Sequence, residues 1–156
     1  MLLLLNSFII PIFTYAPIVW MFCSKSLCSE IDRVHKCGLR AVFSDFISDY
    51  ETLLQVSGCK RIHEIHLYYL LVEEYKSQHN LSPSFMETIF QPKSLNYSLR
   101  DQNLLLIPPA KTQLFGTQSF QFRGSLLWNA LPNSIKSSTS LITFKRLLKA
   151  LSLIHI

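Results

Sequence analysis

The chain has 156 residues, of which 49% are apolar and 16% charged, with a formal net charge of +5. That length holds one domain, or one domain with an appendage, and the apolar content excludes an intrinsically disordered chain. Residues 1–79 carry 7 basic and 8 acidic side chains, whereas residues 80–156 carry 8 basic and 2 acidic. The basic excess, which suits nucleic acid or an anionic membrane surface, therefore lies in the second half.

The first 24 residues carry no charged side chain. An apolar run of about 20 residues is long enough to span a bilayer as a helix. Asn6, Ser7, Pro11 and Pro17 interrupt the run, and each proline removes a helical hydrogen bond. No Lys or Arg precedes it, unlike a signal peptide. Two readings stand open for residues 1–24: a segment that packs inside a larger protein, or a membrane anchor over residues 1–23.

Ser26 to Phe43 reads as an amphipathic helix, with Ile31, Val34, Gly38 and Val42 on its apolar face. Arg33, Lys36 and Arg40, spaced i, i+3 and i+7, form a basic stripe on another face. A short helix over Tyr50–Val56 stops at Ser57-Gly58. A long helix follows over 60–79, then a loop at Leu81–Ser84 and a short helix over Phe85–Phe90. From Gln91 to Thr117 the helical period fades among Pro92, Pro108, Pro109 and Gly116. A small β element is expected around 104–107 and 119–123, where Ser119-Phe120-Gln121-Phe122-Arg123 alternates apolar and polar. Ser125–Leu131 is a helical turn stopped by Pro132. A last helix, capped within Ser138–Ser140, presents Leu141, Phe144, Leu148 and Leu151 as its apolar stripe and Lys145, Arg146 and Lys149 off it. The fold class is mainly α.

Familiar catalytic arrangements are missing. The glycines at 38, 58, 116 and 124 are too scattered to cradle a phosphate, and no GxSxG elbow occurs. Asp45 and Asp49 fall in a connector and read as cap acids rather than as ligands for two magnesium ions. His63 and His66, with Cys59 nearby, are zinc-ligand types, but the spacing is not HExxH and no second ligand pair accompanies them. Cys23, Cys28, Cys37 and Cys59 include no CxxC and read as free thiols.

Several stretches, taken in order, resemble one family. Phe8–Trp20 is similar to the Pro…Tyr…Trp segment that follows the palm in reverse transcriptases of non-LTR (LINE-type, jockey-like) retrotransposons. Ile31–Phe43 resembles the family's next basic helix, Tyr68–Pro83 its tyrosine-rich helix, and Asn96-Tyr97-Ser98-Leu99-Arg100 a Tyr…Arg loop. The most specific stretch is Phe115-Gly116 with Ser119–Pro132, whose Trp128-Asn129-Ala130-Leu131-Pro132 core, followed by Ser140–Lys145, looks like the C-terminal signature of these elements. The likeness spans roughly residues 4–152. Cys37-Gly38 departs from it, standing where the family is more basic.

The resemblance implies a helical, thumb-like bundle in three parts. Residues 1–24 would pack on a palm, 25–90 would form the thumb-like region, and 91–156 would carry the Trp-Asn-x-Leu-Pro motif and the final helix. It implies a truncated C-terminal fragment of an RNA-directed DNA polymerase, not an enzyme alone, because the paired-aspartate palm and its magnesium site would lie upstream. No cofactor is expected in this chain. The expected partners are the palm or nucleic acid, bound weakly and without sequence preference through Arg33, Lys36, Arg40, Arg123, Lys145, Arg146 and Lys149. An intracellular place, nucleus or cytoplasm, follows. A small single-pass membrane protein and a decayed fragment without function are the competing expectations.

Overall fold

The computed structural model describes residues 1–93, 103–112 and 116–151. The chain is mainly α-helical and forms two compact units, Met1–His66 and Leu67–Ile156. The Tyr97–Arg100 loop of the family resemblance lies outside the described residues.

In the first unit the apolar start is a broken helix. Leu2–Leu4 (α1) runs into a π-helical stretch at Leu5–Ile9 and then Ile10–Thr14 (α2). Pro11 has no N–H to donate, and its ring crowds the preceding turn, so the widening falls directly before it. Ala16 adopts a left-handed conformation (φ 44°), and Pro17 opens a further turn, Pro17–Trp20 (α3). Among the described residues no helix is long and apolar enough to cross a membrane.

Helix Lys25–Phe43 (α4) begins one residue before the expected Ser26. The cap is Ser24, whose Oγ accepts from the Leu27 N–H at 3.4 Å. Helix Tyr50–Ser57 (α5) is capped by Asp49, whose carboxylate accepts from Thr52 N at 2.9 Å, and it ends at Gly58 with φ 67°. A side chain at that left-handed angle would be strained, which accounts for the glycine stop. Leu5, Leu39, Leu53 and Leu54 form the core of this unit. Gly38 admits Leu5: a Cβ there would come within 2.8 Å of the Leu5 Cδ1.

The buried face of α4 is turned from the expected stripe. Val34 is exposed, and His35 and Leu39 are fully buried. The reason is polar and non-local: His35 Nδ1 hydrogen-bonds the Tyr50 hydroxyl at 2.8 Å, so an imidazole occupies a core position. Arg61 completes the unit. It pairs with Glu51, lies 3.6 Å from Asp32, and sets its guanidinium 5.2 Å from the Tyr50 ring centre.

Helix Ile62–Gln78 (α6) leads into the second unit, followed by Ser84–Glu87 (α7), Phe120–Ala130 (α8), Asn133–Lys136 (α9) and Leu141–Ala150 (α10). The expected strand at 119–123 is instead the start of α8. Ser119 is its N-cap, accepting from Phe122 N at 3.3 Å. Five alternating residues fit either period, and the Ser cap decides for helix. Phe120 packs edge-on to Phe90 with ring centres 5.0 Å apart, and Gln121 Nε2 donates to the Ile89 carbonyl at 2.6 Å. At 104–107 no strand is found, only an isolated antiparallel bridge between Pro92 and Leu105. The core gathers Tyr75, Trp128, Phe144 and Leu148, each 3% exposed or less.

Candidate nucleic-acid interface

The seven cations singled out from sequence fall on three helices. Arg33, Lys36 and Arg40 lie on α4 in the first unit, Arg123 on α8, and Lys145, Arg146 and Lys149 on α10 in the second.

The α4 stripe is locally engaged. Arg33 pairs with Glu30 one turn back at 2.9 Å, both side chains exposed. Arg40 Nη2 donates to the Ser48 carbonyl at 3.2 Å and closes the α4–α5 connector. Asp45 accepts from the N–H groups of Ile47 and Ser48, each at 3.0 Å. Bonds from Ser48 and Ile47 hold its carboxyl below the usual range, with Arg40 adding a smaller pull. Asp49 is likewise held low, chiefly by Thr52 and to a lesser degree by Lys36. Each cation of this stripe thus has an acid or a carbonyl competing for it, and exposed pairs of this kind are worth little in stability.

The α10 cations are differently placed. Lys145, Arg146 and Lys149 make no ion pair among the described residues, and Arg146 and Lys149 are exposed beside Ile142 at 81% exposure. The helix is set by its Ser140 cap, which accepts from Thr143 N at 3.2 Å, and by burial of Phe144 and Leu148. With one stripe buried, the charged residues must face outward. Arg123, half-buried on α8, also makes no ion pair among the described residues.

The Trp-Asn-x-Leu-Pro segment organises this unit. Trp128 is 3% exposed, and its indole N–H donates to the Asn103 carbonyl at 3.1 Å. The Asn129 amide clamps the Leu105 backbone on both sides: its Oδ1 accepts from Leu105 N at 2.8 Å, and its Nδ2 donates to Leu105 O at 2.9 Å. Pro132 forces Leu131 into an extended conformation (φ −68°, ψ 142°) and ends α8. Asn129→Ala strands two backbone groups of Leu105, and urea titration should show a loss of about 2 kcal/mol. A loss under ~0.5 kcal/mol would show that water replaces the clamp.

Sequence reasoning passed over other features. Lys136 is 2% exposed, and its Nζ donates to the Asn129 carbonyl at 3.3 Å. It borders a cavity of about 420 Å³ with His79, Trp128, Ser137, Ser138 and Thr139. The ammonium and the indole N–H on this volume are already engaged by the Asn129 and Asn103 carbonyls. Glu74 is fully buried, and burial pushes its carboxyl up to about 9 despite a Gln78 hydrogen bond. A buried Lys and Glu leave no periodic trace in a sequence. His66, weighed as a zinc ligand, hydrogen-bonds the Phe13 carbonyl at 2.7 Å, and burial holds its imidazole below the usual range. Among the described residues no group of three or more His, Cys, Asp or Glu side chains is placed to hold a metal.

No family model, curated protein or solved structure matches the chain.

Proposed function

We propose that the chain is the post-palm, thumb-like and C-terminal part of a non-LTR retrotransposon reverse transcriptase. It carries no polymerase chemistry of its own and binds nucleic acid through the phosphate backbone without reading sequence. The observation that carries this reading is the Trp128–Pro132 segment. The most specific stretch of the resemblance is also the packing centre of the second unit, tied to Leu105 and Asn103. On the last helix, α10, Arg146 and Lys149 are exposed and Lys145 is half-buried, while Phe144 and Leu148 are buried.

The apolar start supports the same reading. Leu3, Phe8, Ile12, Tyr15 and Val19 are each 67% exposed or more. Exposed apolar side chains in such density mark a surface that another protein part covers, and in this reading the palm covers it.

Filter binding of single-stranded RNA and of an RNA–DNA duplex across a salt series tests the proposal. The chain should bind both within a small factor of each other. Changing Lys145, Arg146 and Lys149 together to Gln should weaken binding by on the order of tenfold or more and reduce the salt slope by ~2. The Arg33/Lys36/Arg40 triple variant should lose less, because those cations are already shared with Glu30, Ser48 and nearby acids. Equal affinity and slope in both variants and the parent would overturn the binding assignment.

A further inference from the structure

The cysteines divide into two kinds. Cys37 is exposed, and the Cys59 thiol faces Asn6 Oδ1 at 4.0 Å. Cys23 and Cys28 instead face each other, half-buried, with sulfurs 3.5 Å apart. The start of α4 sets that distance. Cys23 directly precedes the Ser24 cap, Cys28 lies in the first helical turn, and Cys28 N donates to Ser24 O at 3.0 Å. A cavity of about 30 Å³ is lined by both cysteines together with Ile31, Asp32, Ile62, His63 and His66. That volume admits a water-sized molecule.

We propose that Cys23 and Cys28 form a redox modification site, closing reversibly into a disulfide on reaction with hydrogen peroxide, a molecule small enough to reach this cavity. The sulfurs must approach from 3.5 Å to the bonded distance of about 2 Å, a shift of under ~1 Å for each. In the first step the Cys23 thiolate attacks the outer peroxide oxygen. The O–O bond breaks, the remaining oxygen leaves with a proton as water, and Cys23 becomes a sulfenic acid. In the second step the Cys28 sulfur attacks the Cys23 sulfur. The S–O bond breaks, and hydroxide leaves with the Cys28 proton as water. Two thiols have then lost two electrons to one peroxide. Burial pushes the Cys28 thiol up to about 11, with Cys23 adding to the rise, which disfavours Cys28 as the sulfur that attacks the peroxide first. The product pins the residue before the α4 cap to the first turn of the helix.

The full chain, reduced and freed of reductant, is treated with one equivalent of hydrogen peroxide, alkylated and cut with trypsin. Lys25 lies between the two cysteines, so the disulfide joins peptide 1–25 to peptide 26–33, and dithiothreitol separates them. The expected result is that this linked pair dominates, with Cys37 and Cys59 alkylated. In Cys28→Ser, Cys23 should accumulate as a sulfenic acid that dimedone traps. Closure should be on the order of tenfold faster in buffer than in urea, because the folded helix start holds the thiols together. Three results would each overturn the proposal: oxidation led by Cys37, both Cys23 and Cys28 left open to alkylation, or equal closure rates in buffer and urea.

Discussion

Phe144→Ala should lower the unfolding free energy of the second unit by ~3–5 kcal/mol. Phe144 is fully buried, its ring stacks on Tyr75 at 4.3 Å between centres, and it lies 6.1 Å from the Trp128 ring. Truncation removes most of a buried aromatic side chain and leaves a cavity that Tyr75 cannot fill. The Tyr75 hydroxyl is fixed by its 2.7 Å bond to the Ser138 carbonyl, and its ring also stacks on His79. About 1 kcal/mol of that loss is ring stacking. Domains of this size have only about 5–15 kcal/mol in total, so the variant should lie close to its unfolding midpoint. The chain has two tryptophans, so in a Trp20→Phe background Trp128 fluorescence during urea titration reports the second unit. Ile142→Ala, at an 81% exposed position on the same helix, should cost under ~0.5 kcal/mol. Equal effects from the two variants would show that α10 is not anchored through Phe144.

The two units should lose stability at opposite ends of the pH scale. In the second, the Glu74 carboxyl is raised from an ordinary 4.5 to about 9 by burial. Below its ordinary value the group is protonated whether the chain is folded or not, and it costs nothing. As pH rises above that value the unfolded chain releases the proton, the folded chain holds it, and stability falls until the folded value is passed. At neutral pH the penalty is up to ~3 kcal/mol. Glu74→Gln should therefore stabilise the second unit, with a gain that is small near pH 5 and grows toward pH 9. Loss of stability across that whole range would show that the carboxylate is ionised and paired.

In the first unit, burial holds His35 and His66 below the ordinary histidine value of 6.5. Each is harder to protonate in the folded chain than in the unfolded one, so acid protonates the unfolded form first. Stability is present above that ordinary value and falls as pH drops through the folded values. Amide-exchange protection in α4 should therefore decline as pH falls below the ordinary histidine value of 6.5, while protection in α8 and α10 should decline as the solution is made alkaline. The same direction of change in both units would contradict this assignment of buried groups.

The helix ends were readable in advance because caps are local chemistry. Gly58 supplies a left-handed turn, Ser140 offers a hydroxyl one residue before its helix, and Pro132 stops α8. The apolar stripe of α10 was equally legible, since Phe144 and Leu148 recur at helical spacing and both are fully buried. The sequence misled where a distant partner decides. The face of α4 is set by the Tyr50 hydroxyl waiting for His35, fifteen residues on. The first turn of α8 looked like a strand because Phe120 and Phe122 alternate with polar residues, and the Ser119 cap outweighs that short pattern. Among the candidate cations, spacing correctly placed Arg33, Lys36 and Arg40 on one helix but could not foresee that Ser48 would engage Arg40. The Cys23–Cys28 contact was also missed, because a spacing of five spans a loop and a helix start whose joint geometry no periodic rule describes.

The proposed retrotransposon origin is tested most directly by sequencing the genomic DNA immediately upstream of the Met1 codon. A non-LTR origin requires that it encode, in this or a shifted frame, a polymerase palm with paired aspartates. Unrelated, non-coding sequence there would contradict that origin.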